Sequence, residues 1–224
     1  MPSLFSKNNT FRSLIASIPV ENHAIEVNRE FWKQHFEKAG CQKIHADIFG
    51  EAQTIWLSRG AILNSTPSPQ KCVEILFWGY PSGMRGSQHE KFLANLQRIA
   101  DASAGTKKDW QSYFEVFKEI KNLGISTITK LAYFHNAQFE KYPALILDDR
   151  IINLLQAGIW NELEGFKDIK RDKASGMYLD YLKTMTEIAA QMCVQPAQLE
   201  FFLFSLGGSF VDLESTPRPQ LKPK

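Results

Sequence analysis

The amino-acid sequence predicts an all-α protein, and three features of the chain support this prediction. Aromatic residues recur with the spacing of a helix face, as in Phe31, Trp32 and Phe36. Glycines and prolines interrupt the apolar segments, as Gly40 does after the first of them. No segment is predicted to form a sheet. Together these features favour a helical protein of roughly eight to ten helices.

The first third of the chain contains two apolar segments before a buried helix. Residues 1–20 are weakly patterned and are predicted to form a loose lead-in. A helix is predicted over Glu26–Lys38, and a second apolar stretch covers Ile55–Leu63. The next helix starts with Ser68 as its N-cap and Pro69 as its first residue. Because this helix is apolar almost all round, we expect it to be buried.

The remaining elements follow from the same signals. In order they are a break over 79–86, a helix through 92–100, a helix from 109 to 123, a helix after 124, an extended segment over 142–147, a helix from 148, a charged connection over 166–175, a helix through 178–189 and a last helix from 196 that Gly207 and Gly208 close. The predicted domain covers 21–212, in one or two helical lobes, and a disordered basic tail covers 213–224.

Composition excludes several classes of protein. The chain of 224 residues has 26 Lys and Arg against 24 Asp and Glu, a net charge of +2, which excludes a polybasic binder. No apolar run reaches the roughly 18 residues of a membrane span, and the N-terminus lacks a secretion signal. Cys41, Cys72 and Cys193 form no CxxC pair. We therefore expect a cytoplasmic protein without disulfides.

Familiar cofactor motifs are missing from the sequence. Its five histidines show no metal-ligand spacing, so no metal site is predicted. The phosphate-binding motifs GxxxxGK[ST] and GxGxxG do not occur, nor does GxSxG. The sequence therefore predicts no cofactor.

One turn is the most informative stretch. Within Glu119–Leu131, two amphipathic helices are joined at Gly124, and small polar residues open the second helix. Amides at such a helix N-terminus can hold a phosphate. The alternative is an ordinary pair of helices in which Gly124 is a C-cap.

The turn and its sequel resemble the helix-hairpin-helix DNA glycosylase superfamily, and within it the bacterial 8-oxoguanine DNA glycosylase-like proteins, including those of antiphage gene clusters. Leu123–Thr127 is similar to the Leu-Pro-Gly-Val-Gly hairpin of that superfamily. Ile146–Asp148 is similar to the segment that carries its catalytic aspartate, 18 residues (148 − 130) after Lys130. The resemblance covers about residues 70–208. It implies an all-α, helix-hairpin-helix glycosylase-like fold that binds damaged or modified duplex DNA.

The resemblance implies two catalytic residues. Asp148 would stabilise the positive charge that builds on the sugar as the glycosidic bond breaks. Lys130 would attack the anomeric carbon and form a Schiff base, which permits strand cleavage. A gap-free alignment, however, puts Ile128 at the position of the family's lysine, so Lys130 is either the nucleophile after a two-residue insertion or a solvated surface lysine. For Asp148 the alternative is a helix N-cap without a catalytic function.

The resemblance also implies residues that contact DNA. The hairpin residues Gly124, Ser126 and Thr127, together with Arg150, would bind phosphate. In the last helix Glu200 would read the guanine edge and Phe204 would stack on the flipped base. Candidates for filling the gap left by that base, or for contacting the orphan base, are Tyr80, Met84 and Arg85. The alternatives are core packing for Phe204, an exposed helix face for Glu200 and a simple break between helices for residues 80–85.

The expected function is excision of a modified purine such as 8-oxoguanine, with an abasic-site lyase step if Lys130 is the nucleophile. Two alternatives remain open. One is a catalytically inactive glycosylase fold that binds DNA or a nucleobase in antiphage defence, alongside other proteins of a defence operon. The other is an all-α protein-interaction domain that does not bind DNA.

Overall fold

The computed structural model describes residues 3–4, 10–84, 88–104, 107–118, 120 and 123–215. Within these ranges the chain is mainly helical, as predicted. The α-helices are α1 (Thr10–Ala16), α2 (Arg29–Lys38), α3 (Gln42–Phe49), α4 (Arg59–Asn64), α5 (Pro69–Gly79), α6 (Gln88–Ala94), α7 (Leu96–Ser103), α8 (Trp110–Lys118), α9 (Ile125–Phe134), α10 (Asp149–Ala157), α11 (Tyr178–Met192) and α12 (Pro196–Ser215). Short 3₁₀ helices cover Val20–Asn22, Asn161–Phe166 and Ala174–Met177. The all-α prediction is confirmed. The described ranges hold more helices than expected, because α1 and α3 were not predicted and the segment around Phe92–Ala100 divides at Asn95 into α6 and α7.

Short strands also occur, which the sequence analysis did not predict. They are β1 (Ala24–Asn28), β2 (Thr54–Ser58), β3 (Lys107–Lys108), β4 (Gln138–Phe139) and β5 (Tyr142–Pro143). β1 and β2 pair antiparallel, with Glu26 opposite Trp56. β4 pairs parallel with β3 and antiparallel with β5.

The β1–β2 pair corrects the prediction of a helix over Glu26–Lys38. Asn28 is the N-cap of α2, because its side chain accepts a hydrogen bond from the amide of Phe31, and the helix starts at Arg29. The residues before this cap form β1, which pairs with β2. On β2 the side chain of Trp56 is 69% exposed. Pairing between distant segments decides their conformation, and helix periodicity does not report it.

Contacts divide the chain into two units. One is continuous and covers Pro19–Asp148; the other, called the discontinuous unit below, combines Met1–Ile18 with Asp149–Lys224.

Helix α5 lies at the centre of the Pro19–Asp148 unit, as its apolar sequence predicts. It contacts β1, β2, α4, α7 and α9. Its start is fixed by Ser68, whose hydroxyl accepts a hydrogen bond from the amide of Lys71 at 3.1 Å, and by Pro69 at the first turn. The side chains of Val73, Leu76 and Phe77 are fully buried or nearly so. This helix ends at Gly79, beside the residues described below.

The discontinuous unit corrects two predictions. Residues 10–16, assigned to a loose lead-in, form α1, which packs on α12 and buries Ile15. The side-chain amide of Gln198 holds the end of α1 by donating to the carbonyl of Ala16 at 2.9 Å. The last helix passes through Gly207 rather than ending there. A β-carbon at Gly207 would lie 2.1 Å from Leu154, so glycine permits close packing of α12 on α10.

Candidate active site around Lys130 and Asp148

Lys130 is buried in α9, although it carries a charge. It is 4% exposed, and every residue of the helix from Thr127 to Phe134 is buried. Its ammonium donates a hydrogen bond to the hydroxyl of Ser126, one turn earlier, at 2.7 Å. The ammonium also lies 3.9 Å from the carboxylate of Asp148. Lys130 is therefore not a solvated surface lysine, and that alternative is wrong.

Asp148 directly precedes α10, which begins at Asp149. The segment that leads to it is fixed against α9, because the amide of Leu147 donates to the hydroxyl of Thr129 at 3.1 Å. The Asp148 side chain remains 13% exposed, so its carboxylate has limited access to solvent. Asp148 can occupy the N-cap position of α10 and still approach Lys130, because its place directly before the helix fixes the backbone from which its carboxylate extends.

The lysine register follows from this geometry. Ile128, which a gap-free comparison puts at the catalytic lysine's position, is fully buried and apolar. Lys130 lies two residues further along α9, and its ammonium approaches Asp148. The geometry thus favours Lys130 over Ile128 as the equivalent of the family's lysine.

Tyr80 belongs to the same cluster. Its hydroxyl forms a hydrogen bond with Thr127 at 2.9 Å and lies 3.3 Å from the hydroxyl of Ser126. The ammonium of Lys130 lies 5.2 Å from the centre of the Tyr80 ring, within the range of a cation–π interaction. These contacts hold Tyr80 against the start of α9, and its intercalation between DNA bases stays a prediction.

Gly79 is a participant that the sequence analysis missed. A β-carbon there would lie 2.8 Å from Cδ of Lys130 and 3.1 Å from its Cε. The missing side chain therefore leaves the space through which the lysine chain passes. The sequence indicated only that α5 ends near Gly79; the contact with Lys130 joins residues 51 positions apart (130 − 79).

The start of α9 is the part of the predicted hairpin that the structure describes, while residues 119, 121 and 122 lie outside the described ranges. Gly124 is the N-cap of α9, with extended backbone, so it is not the C-cap glycine considered above. It is exposed, and nothing lies within 4 Å of the position its β-carbon would take.

The polar residues after Gly124 differ in what they offer a phosphate. The amide of Thr127 donates to the carbonyl of Gly124 and its hydroxyl is hydrogen-bonded to Tyr80, so both groups have partners within the protein. Ser126 is half-buried, and its hydroxyl accepts the hydrogen bond from Lys130. The first amides of a helix lack partners within the helix, so those of Ile125 and Ser126 are the donors best suited to an anion.

Met84 and Arg85 are the other predicted wedge residues. Met84 is 9% exposed, so most of its side chain is packed inside the protein, and it is not a wedge in this conformation. Arg85 lies outside the described residues.

A second group of predicted residues lies in the discontinuous unit. The guanidinium of Arg150 is 4.9 Å from the centre of the Phe204 ring, so the predicted phosphate contact and the predicted stacking residue touch each other. Arg150 is exposed and Phe204 is half-buried. Glu200, four residues before Phe204 on α12, is completely buried, which rules out the exposed-face alternative for it.

One described cavity lies elsewhere. It has a volume of about 240 Å³ and is lined by α2 and α3 residues that include Arg29, Lys33 and His45. None of the predicted catalytic residues lines it.

The Lys130–Asp148 arrangement suits chemistry at a sugar carbon. A lysine amine can form a covalent bond with an anomeric carbon once it has lost a proton. An adjacent carboxylate can stabilise positive charge on the sugar, and limited access of water strengthens that interaction.

The described residues form no helix long and apolar enough to cross a membrane.

Comparison with known families gives one finding. The model of a family described as "Putative 8-oxoguanine DNA glycosylase OGG-like protein" matches residues 18–204. No match to the chain is found among the curated proteins or among the solved structures. The matched range contains the buried Lys130, its partner Asp148 and the residues around them. The chain belongs to this OGG-like family of DNA glycosylase-like proteins.

Proposed function

We propose that this protein binds duplex DNA and excises a modified purine of the 8-oxoguanine type, with Lys130 and Asp148 as its catalytic residues. The observation that carries the proposal is the 3.9 Å approach of a buried lysine ammonium to a carboxylate in a chain of this family. DNA is the partner that the family implies.

The proposed reaction uses the Lys130 amine to attack the sugar and the Asp148 carboxylate to stabilise the charge that develops on it. Lys130 acts as the free amine after its proton has passed to solvent water, so that the Asp148 carboxylate stays ionised. The free amine then attacks the anomeric carbon, and the bond to the base breaks with its electrons leaving on the base. Asp148 stabilises the charge that develops on the sugar during this step. Opening of the sugar ring gives a Schiff base with Lys130. Loss of a proton from C2′ to water then forms a carbon–carbon double bond as the 3′ phosphate leaves.

Ser126 and Tyr80 are proposed to position the amine. Ser126 stands where the family hairpin has its second glycine, and its hydroxyl accepts the hydrogen bond from Lys130. Tyr80 in turn contacts that hydroxyl and covers the ammonium with its ring. Both contacts direct the ammonium along one path toward Asp148.

DNA binding is assigned to the start of α9 and to side chains of α10 and α12. Gly124 and the amide of Ser126 would approach one phosphate at the start of α9, where the helix dipole favours an anion. Arg150 would contact another phosphate. Phe204 would stack on the flipped base, and Glu200 would accept hydrogen bonds from N1–H and the amino group of guanine.

The direct test measures free base released from a duplex that contains one 8-oxoguanine, with an unmodified duplex as the control substrate. The wild-type protein should release 8-oxoguanine, and Asp148→Asn should lower the rate by about a hundredfold or more. Lys118→Gln is a matched control, because Lys118 is an exposed lysine of the same unit. Equal rates for Asp148→Asn and the wild type would contradict the proposed role of Asp148.

A second candidate is a glycosylase fold that binds DNA or a nucleobase without turnover, in antiphage defence. The observation that favours it is the occupation of the Lys130 ammonium by Ser126, a residue that departs from the family hairpin. This candidate predicts that the wild type binds the modified duplex without base release, and that Asp148→Asn binds it equally well. Base release by the wild type would exclude it.

A further inference from the structure

Two histidines and a glutamate form a cluster outside the Lys130 site. His35 lies on α2, and His89 and Glu90 lie at the start of α6. One ligand atom from each residue lies within 4.8 Å of the other two. Nε2 of His89 and Nδ1 of His35 share a hydrogen bond at 2.8 Å. The carboxylate of Glu90 lies beside the two nitrogens, and a cation that bound here would replace the proton that they share.

The surroundings keep the imidazoles in place. Trp32 contacts both rings edge-on, with centroid distances of 5.9 Å to His35 and 5.8 Å to His89. His89 is buried, so the packing around it fixes the ring whose Nε2 faces His35.

Glu90 lies on the side of the cluster that solvent can reach. Its side chain is 40% exposed and lies 3.7 Å from the ammonium of Lys38, which is itself 65% exposed. An exposed ion pair of this kind contributes little to stability, so a metal ion can displace Lys38. His35 is half-buried, which leaves the cluster open on one side.

We propose that His35, His89 and Glu90 bind one divalent transition-metal ion, with Zn²⁺ as the best fit. Two imidazole nitrogens and one carboxylate are common ligands of Zn²⁺, and three protein ligands leave a fourth position for water. The bound ion would tie α2 to α6. No ligand spacing indicated this site in the sequence analysis, because its two histidines are 54 residues apart and lie on different helices.

The test is a titration of the full-length, untagged protein with Zn²⁺ in the absence of DNA, followed by calorimetry. Co²⁺ provides a second readout, through the visible absorption that appears when it binds nitrogen and oxygen ligands. The wild type should bind one equivalent. His35→Gln and Glu90→Gln should each weaken binding by about tenfold or more. Circular dichroism checks that each variant is folded.

Two further variants sharpen the test. His45→Gln is the matched control, because His45 is a buried histidine on α3 that lies outside the cluster. It should bind Zn²⁺ like the wild type. Lys38→Ala removes the competing ammonium and should tighten binding. Absence of binding by the wild type, or equal binding by His35→Gln and Glu90→Gln, would overturn the proposal, whatever the outcome of the base-release assay.

Discussion

Lys130 lies among residues of α9 that are all buried, so its charge needs partners inside the protein. Ser126 accepts a hydrogen bond from this lysine, and Asp148 supplies the opposite charge. A buried ion pair of this type is weak evidence for stability, because desolvation offsets the attraction. The ion pair with Asp148, whose side chain is 13% exposed, is better explained by the proposed chemistry.

Gly79→Ala tests whether Lys130 must occupy its present path. The added methyl group would meet Cδ of the lysine, so the side chain has to move and its ammonium leaves Asp148. We expect base release to fall by about tenfold or more while the protein stays folded. Gly176→Ala is the control, since a β-carbon there meets nothing within 4 Å. Equal base release by Gly79→Ala and the wild type would show that the lysine position does not matter.

Gly124→Ala tests the proposed phosphate contact. The backbone at Gly124 is extended and its surroundings are open, so the fold does not require glycine there. We expect a loss of stability of at most about 1 kcal/mol, from the poorer N-cap, together with weaker binding of duplex DNA. Fluorescence anisotropy at low salt measures the affinity. Unchanged affinity would remove Gly124 from the DNA contact.

At the scale of elements, local sequence signals predicted where helices occur better than they predicted how the elements pack against one another. Ser68 and Pro69 identify the start of α5 because capping acts within a few residues. The β1–β2 pair was missed because each strand is specified by its partner, which lies about 30 residues away. Gly207 looked like a helix end, whereas Leu154 explains it through close packing. Asp148 could be predicted only through the family resemblance, and its distance to Lys130 required the structure.

Ser68→Ala tests the contribution of a cap to the element that ends beside Lys130. The lost hydrogen bond to the amide of Lys71 should lower the free energy of unfolding by about 1 kcal/mol. Ser82→Ala, at an exposed position, should change it by less than about 0.5 kcal/mol. Urea denaturation measures both. Equal stability of the two variants would mean that the cap contributes nothing.

At the scale of the whole molecule, buried histidines make stability depend on pH. Burial lowers the pKa of His23 to about 4, with the charge of Arg59 as a second cause, and burial also lowers the pKa of His45 and His89. Their pKa in the unfolded chain is about 6.5. Below that value the unfolded state binds more protons than the folded state, so acid favours unfolding.

The expected result is a urea midpoint that is highest above about pH 6.5 and falls as the pH approaches 4. His23→Gln should reduce the drop between pH 7.5 and pH 5.5, because the variant lacks one of the groups that take up a proton on unfolding. A midpoint that stays constant over this interval would contradict the assignment of neutral buried histidines.

The residues named in the proposal are divided between the two units. The Pro19–Asp148 unit holds Lys130, Asp148 and the residues that position them. The discontinuous unit holds Arg150, Glu200 and Phe204, which are assigned to the DNA and to the flipped base. The family match spans residues of both units, from 18 to 204. The central claim is that Lys130 and Asp148, in the Pro19–Asp148 unit, carry out the chemistry.

That claim is tested most directly by trapping the covalent intermediate with borohydride on an 8-oxoguanine duplex and mapping the modified lysine by mass spectrometry. The account predicts an adduct on Lys130 in the wild type and in Lys118→Gln, and none in Lys130→Gln. An adduct that persists in Lys130→Gln, or base release by the wild type without any adduct, would contradict it.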